Sequence, residues 1–212
     1  MTTISRLARQ EDAEAVVQLS QRVQAALTAS GSLQHLRAVE VEHVLEEIER
    51  HECFVLEDRL TAQIIGAAST GAIHRDYYPD ADVFSLNNYT KPWVYLYSVM
   101  LDPSHQSRGL GKSFVGDYVK HLEEVFGGGT IILDCWAGND KLRDFYTRAG
   151  FTFAAVVPEN DYEVAVFYRE LSNQFSANGN TSEDRELLAY DVPSAPIQAA
   201  FETIKRIVSG QH

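Results

Sequence analysis

The chain has 212 residues, enough for one substantial core and an appendage. It is 45% hydrophobic and 23% charged, and 18 Lys and Arg against 30 Asp and Glu give a net charge of −12. A field of that sign disfavours nucleic acid and anionic membrane and favours cationic partners, while also serving solubility. No apolar run approaches the ~18 residues of a membrane helix, and the opening Met1-Thr2-Thr3-Ile4-Ser5-Arg6 lacks the apolar stretch of a signal peptide. Cys53 and Cys135 stand far apart, at no metal spacing and in no disulfide framework, which suits a reducing compartment. The expectation is a cytoplasmic protein without a metal.

In chain order, Ile4 to Leu7 reads as a short strand and Asp12 to Leu27 as a helix, with Ala13, Val16, Val17, Leu19, Val23 and Leu27 in a helical apolar pattern. Thr28 to Arg37 is a polar loop. Val39 to Arg50 is a second helix, with Val41, Val44, Leu45 and Ile48 on one face. Cys53 to Leu56 and Gln63 to Ser69 read as strands joined near Asp58-Arg59. Thr70 to Pro92 is a long insert of the kind that is usually functional or mobile. Trp93 to Leu101 suits a strand buried on both faces. Gly109 to Phe126 is a helix with Leu110, Phe114, Tyr118 and Leu122 in register, stopped by Gly127-Gly128-Gly129. Thr130 to Trp136 is a buried strand and Asn139 to Ala149 a short helix. Phe151 to Val157 and Tyr162 to Leu171 close as a hairpin around Pro158-Glu159-Asn160-Asp161. Ser172 to Asp184 is a Ser-, Asn- and Gly-rich linker, and Ala195 to Val208 suits a last helix. The class is α/β, with a strand–turn–helix at its centre.

That centre, Val99 to Ser113, is an anion site by chemistry. A buried strand ends at Leu101, Pro103 breaks the ladder, and the chain enters a helix through Gly109 and Gly111. Helix N-termini expose unpaired amides and partial positive charge. Glycines clear the approach to those amides, and Arg108 and Lys112 add charge. Two phosphate ligands fit. A nucleotide loop needs Gly, four residues, then Gly-Lys-Ser/Thr; Gly111-Lys112-Ser113 supplies the end, but Gln106 stands where the first glycine belongs. Asp134 is a weak candidate for its magnesium-binding aspartate. The other pattern, Gln-x-x-Gly-x-Gly, is met by Gln106, Gly109 and Gly111.

With Leu101-Asp102-Pro103 before it, this second pattern resembles the cofactor-binding motif of the GCN5-related N-acetyltransferase (GNAT) superfamily. Leu133 to Asn139, then Leu142, Phe145-Tyr146 and Gly150-Phe151, look like the family's second signature. The likeness covers roughly residues 4 to 170. It implies a GNAT fold: a mixed, mostly antiparallel sheet flanked by helices, with splayed central strands. A GNAT domain over 1–171 follows from it; the tail lies outside the likeness and is expected, from its own composition, as a linker with a C-terminal helical extension over 172–212, packed on the same domain or in a homodimer.

The resemblance implies acetyl-CoA, or another acyl-CoA, as co-substrate and a small-molecule or protein primary amine as acceptor, attacking directly in a ternary complex. Cofactor contacts are implied at Val99, Met100 and Leu101, whose backbone pairs with the pantetheine arm; at Gln106, Ser107, Arg108, Gly109, Leu110, Gly111, Lys112 and Ser113; and at Asn139 and Tyr146. Tyr146 matches the tyrosine that protonates the departing sulfur in many members, and a phenol near pKa ~10 is protonated at neutral pH. Tyr146 also suits a packed aromatic, and Asn139 an N-cap. The backbone amide near Val99 or Met100 is the implied oxyanion donor.

Many members carry a basic glutamate near the positions of Tyr97 or Ser98. Neither is a carboxylate here. Asp134, His74, Asp76 and Glu159 are carboxylates and an imidazole that could border the cleft, but no motif places them. Cys135 reads as a small buried hydrophobe rather than a nucleophile. His51 and His121 have no second ligand at metal spacing. The acceptor is expected between Thr28 to Arg37 and Pro158 to Asp161. Tyr77, Tyr78, Phe84 and Tyr89, with Asp76, Asp80 and Asp82, suit a wall for a cationic amine or a solvated loop. Two other functions remain in view: a non-catalytic acyl-CoA sensor, kept alive by the missing strand carboxylate, and a P-loop phosphotransferase.

Overall fold

The computed structural model describes residues 2–34, 36, 39–72, 89–159 and 162–172. They contain β1 (Thr3–Leu7), α1 (Ala13–Ala29), α2 (Val41–Glu49), β2 (Cys53–Asp58), β3 (Gln63–Ala72), β4 (Trp93–Leu101), α3 (Leu110–Phe126), β5 (Gly129–Trp136), α4 (Asp140–Arg148), β6 (Thr152–Glu159) and β7 (Tyr162–Leu171). Each strand and helix expected up to Leu171 is present, with β4 and β7 at the expected bounds. His74, Asp76, Tyr77, Tyr78, Asp80, Asp82 and Phe84 lie outside the described residues, as do Asn160, Asp161 and the segment 173–212.

The strands form one sheet in the order β1-β2-β3-β4-β5-β7-β6. Every neighbouring pair is antiparallel except β4 and β5, which are parallel and joined through α3. That pairing holds for only Trp93↔Thr130, Val94↔Ile131 and Tyr95↔Ile132. Beyond it β4 continues on β3 as far as Gly66↔Leu101, and β5 continues on β7 as far as Trp136↔Val164. The two central strands therefore part, and the sheet opens into a gap between their ends. This is the splay expected of the fold.

A bulge in β4 shapes one lip of the gap. Ser98 has φ 51, and the β3 register shifts between Ala67 and Ser69. One extra residue reverses which face the following side chains occupy. Before the bulge Val94 and Leu96 enter the core beneath α3; after it Val99 and Leu101 lie against that core, and Met100 joins the opposite one.

The two cores lie on opposite faces of the sheet. Phe114, Val115, Tyr118, Val119 and Leu122 of α3 fill the first, together with Ile131, Leu133 and Phe167. At about 1.5–3 kcal/mol for each fully buried apolar side chain, burial dominates the placing of α3. Leu19, Val23, Val44 and Ile48 of α1 and α2 fill the second against Val55 and Met100. These three helices are thus held against the sheet by their buried stripes. Among the described residues no helix is long and apolar enough to cross a membrane.

Candidate active site

After β4 the chain makes a short 3-10 turn at Pro103–His105. The Asp102 carboxylate organises it, accepting from Ser104 N at 3.0 Å, Ser104 Oγ at 2.7 Å and Arg22 Nε at 2.8 Å. Burial pushes the Asp102 pKa up, but the bonds from Ser104 and Arg22 together outweigh it and hold the carboxyl down to about 2. Asp102 therefore fastens the turn to α1. Gln106 closes it from the other side, its Nε2 donating to Leu101 O at 3.1 Å. The glutamine side chain of the Gln-x-x-Gly-x-Gly pattern is thus a brace for the backbone.

Ser107 (φ 61) and Gly109 (φ 79) both take left-handed backbone, and Gly109 is the N-cap of α3. Gln106 to Gly109, Lys112 and Ser113 are exposed. The first intrahelical bond runs from Ser113 N to Gly109 O at 3.4 Å. Leu110, Gly111 and Lys112 precede it, so helix geometry leaves their amides without an i−4 carbonyl. An exposed helix N-terminus behind a left-handed turn is the arrangement that receives an anion.

The two glycines also act on the protein itself, for different reasons. A Cβ on Gly109 would meet nothing within 4 Å, so its requirement is conformational. A Cβ on Gly111 would lie 3.2 Å from Phe145 Cε2 and 3.8 Å from Leu101 Cδ2. Gly111 lets the first turn of α3 close on α4, which joins the two motifs.

On α4, Asn139 is the N-cap: its Oδ1 accepts from Leu142 N at 3.1 Å. Among the described residues its side-chain nitrogen has no partner. Tyr146 is 4% exposed and packs on Phe145, Phe151 and Phe167, with ring centroids 5.3, 6.0 and 5.8 Å away. Its hydroxyl makes no hydrogen bond among the described residues. Burial, then the nearby Cys135 and Asp134, raises its pKa above the ordinary phenol value. Tyr146 is both a core aromatic and a group held firmly in its proton-donating form. Cys135 is a buried thiol pushed up to about 12 by burial and then by Asp134, with Arg143 opposing. A neutral thiol is a poor nucleophile.

The opposite face of β4 carries Tyr97 and, near it, Asp134, both named from the sequence, with Tyr95, Ser69 and Glu47, which the sequence reading missed. Tyr95 and Tyr97 stack at 5.8 Å and 23°. Tyr97 Oη donates to Glu47 Oε1 at 2.9 Å, and Ser69 Oγ donates to Glu47 Oε2 at 2.7 Å. Tyr95 Oη donates to Asp134 Oδ2 at 2.6 Å, bridging β4 to β5 where the strands part. The signal for Glu47 was its position: three residues after Val44 and one before Ile48, a carboxylate on a buried stripe.

The polar loop after α1 reaches the same gap. Ala137 N donates to Glu163 O on β7, so the preceding Trp136 N–H points to the other edge of β5. Gln34 Oε1 accepts it at 2.6 Å. Around one opening, then, stand Val99 to Leu101 on its β4 lip, Gln106 to Ser113 beyond them, and Asn139 and Tyr146 on the β5 side. Glu159 ends β6. Among the described residues no group of three or more His, Cys, Asp or Glu gathers as metal ligands do.

Solved structures repeat this fold. An acetyltransferase of the GNAT family from Listeria monocytogenes has a TM-score of 0.62 at 24% identity, over 80% of this chain and 95% of that one. The yncA structure from Salmonella typhimurium, with its cofactor acetyl-CoA, has a TM-score of 0.60 at 18% identity, over 81% and 95%. The ribosomal-protein-S18-alanine N-acetyltransferase of Escherichia coli has a TM-score of 0.56 at 17% identity, again over 81% and 95%. Among curated proteins none matches the chain. The profile of the acetyltransferase (GNAT) family matches residues 15–151. That span runs from α1 through the anion-binding turn and α4 to Phe151, and with it the chain belongs to the GNAT acetyltransferase family.

Proposed function

We propose that the protein transfers an acetyl group from acetyl-CoA to the primary amine of a cationic acceptor, by direct attack in a ternary complex. One observation carries this reading: an exposed helix N-terminus opens onto a split sheet, with a neutral, unpartnered phenol on the far side. The amides of Ser107 to Lys112 hold the pyrophosphate, with the Lys112 side chain adding charge. The β4 edge from Val99 to Leu101 receives the pantetheine arm as an added strand. Asn139 offers it the nitrogen left over from capping.

The amide near Val99 or Met100 polarises the thioester carbonyl. The amine nitrogen bonds to that carbon as the C–S bond breaks, and Tyr146 gives its proton to the departing sulfur. The acceptor enters from the side of α1 and α2. There Tyr95 and Tyr97 offer ring faces, and Glu47 and Asp134 offer carboxylates, the pairing that suits an ammonium group. The net charge of −12 favours the same encounter. The E. coli neighbour, named for the alanine of a ribosomal protein, adds peptide N-termini to the amines worth offering. Two buried free cysteines fit a reducing compartment, and we place the protein in the cytoplasm.

The test has two arms. Calorimetry compares acetyl-CoA with magnesium-ATP. A panel of spermidine, tyramine, an α-amino peptide and a lysine peptide is scored by released CoA thiol. Acetyl-CoA binding with thiol release from at least one amine supports the reading. Magnesium-ATP binding without acetyl-CoA binding sinks it, and acetyl-CoA binding without any transfer leaves a sensor instead.

A further inference from the structure

We propose that Glu47 is the base that takes the proton of the attacking ammonium, through one water held between α2 and the bulge of β4. This rests on the acetyl-transfer reading. β4 has no carboxylate at Tyr97 or Ser98. Instead Tyr97 reaches a carboxylate that arrives from the neighbouring helix.

A pocket of about 20 Å³ lies there, walled by His43, Glu47, Ser69, Tyr97 and Ser98 among others. That volume suits a single water, which needs two to four polar partners. The pocket supplies them, and it contains a group that needs one. His43 Nδ1 is buried with no hydrogen-bond partner among the described residues. His43 stands one helical turn before Glu47 on α2. A buried ring nitrogen left unpaired is destabilising, and a bridging water would satisfy it.

The pocket also adjoins the chemistry. Ser98 is both its wall and the bulge residue of the unpaired β4 lip. Tyr97 and Ser69 each occupy one lone pair of a Glu47 oxygen, which fixes the carboxylate and leaves further lone pairs for the water. The other titratable groups facing Glu47 are Tyr97 of β4, Tyr118 of α3, Cys53 of β2, His43 of α2 and Glu52 before β2. Burial keeps Tyr97, Tyr118 and Cys53 neutral. Glu52 is paired with Arg50 at 2.8 Å. Glu47 is the carboxylate that can accept a proton on the pocket side.

The protons balance. The ammonium passes one proton through the water to Glu47, and the freed nitrogen lone pair forms the C–N bond. The C–S electron pair leaves with sulfur, which takes the Tyr146 proton. The second nitrogen proton restores Tyr146 through solvent, and Glu47 releases the net proton to bulk.

Two peptides test this with acetyl-CoA: one with only a free α-amino group, pKa about 7.7–8.0, and one N-acetylated with a single lysine, pKa about 10.4. CoA release is followed across pH for wild type and Glu47→Gln. For the variant, kcat/KM should fall about 100-fold near pH ~7, and the defect should close as pH approaches the amine's own pKa. A free amine needs no base, so the lysine peptide should recover at higher pH than the α-amino peptide. An equal defect at every pH, or none, overturns the role. A crystal structure of the wild-type CoA complex gives an independent check: a water bonded to both Glu47 and His43 supports the relay, and a dry pocket overturns it. A wild type that releases CoA with no amine sinks acetyl transfer and this proposal together; an unaltered profile in the variant sinks the base alone.

Discussion

Replacing Tyr146 by Phe separates catalysis from packing more cleanly than any other change. The phenyl ring stays, so its contacts with Phe145, Phe151 and Phe167 at 5.3–6.0 Å stay, and no cavity larger than a hydroxyl forms. The hydroxyl that leaves makes no hydrogen bond among the described residues and is not one of their buried unpaired atoms, so it reaches solvent and its loss orphans no partner. Tyr146→Phe should therefore stay within ~1 kcal/mol of wild type, a Tm change of no more than about 4 °C for a domain of this size. Transfer should behave oppositely. A general acid contributes about 100- to 10,000-fold, equivalent to about 3–5 kcal/mol on the barrier. Acetyl-CoA affinity should change by less than about tenfold, because pyrophosphate and pantetheine contacts lie elsewhere. Thiol release, calorimetry and thermal unfolding on the same sample give the three readings. A variant with wild-type kcat removes Tyr146 from the acid role. A variant that loses activity and stability together assigns the effect to packing.

Other outcomes follow from the same geometry. In Gly111→Ala the new Cβ meets Phe145 at 3.2 Å; the ring must yield, at about 1–3 kcal/mol, and calorimetry should show weaker acetyl-CoA binding as α3 and α4 separate. Asn139→Ala should lose about 1 kcal/mol of stability with the cap, whereas Asn139→Asp keeps the cap acceptor and should lose acetyl-CoA affinity without losing Tm. Asp102 is held down to about 2 in the fold against an ordinary value near 3.8. A depressed carboxyl stabilises above its unfolded pKa and loses that contribution as pH falls through the folded one. Acid unfolding of the wild type should thus carry a component between pH ~4 and pH ~2 that Asp102→Asn lacks, worth about 1–2 kcal/mol once the half-exposed Arg22 is discounted. An identical acid transition in the variant would contradict it.

The strands and helices up to Leu171 were legible because each buries a periodic stripe. Leu110, Phe114, Tyr118 and Leu122 announce α3, and the same residues fill its core. The anion turn was legible because glycine and proline restrict backbone in ways that leave a visible signature. What each glycine does was not, since the contact of Gly111 with Phe145 joins residues 34 apart in the chain. The bulge at Ser98 was also hidden: its backbone has positive φ without a glycine to mark it. Glu47 was hidden for a related reason. A carboxylate on a buried helix stripe needs partners, and Ser69 and Tyr97 come from strands that only folding brings near. Gln34 on Trp136 N–H likewise depends on the splay of β4 from β5, which no local pattern encodes.

The central claim is that the backbone between β4 and α3 holds the cofactor's pyrophosphate. Amide chemical shifts followed during titration with acetyl-CoA test it directly. The largest changes should fall on Ser107, Arg108, Gly109, Leu110, Gly111 and Lys112, with smaller ones at Val99 to Leu101 and Asn139. Acetyl-CoA binding that leaves those six amides unmoved, or a response of the same amides to magnesium-ATP and not to acetyl-CoA, would contradict it.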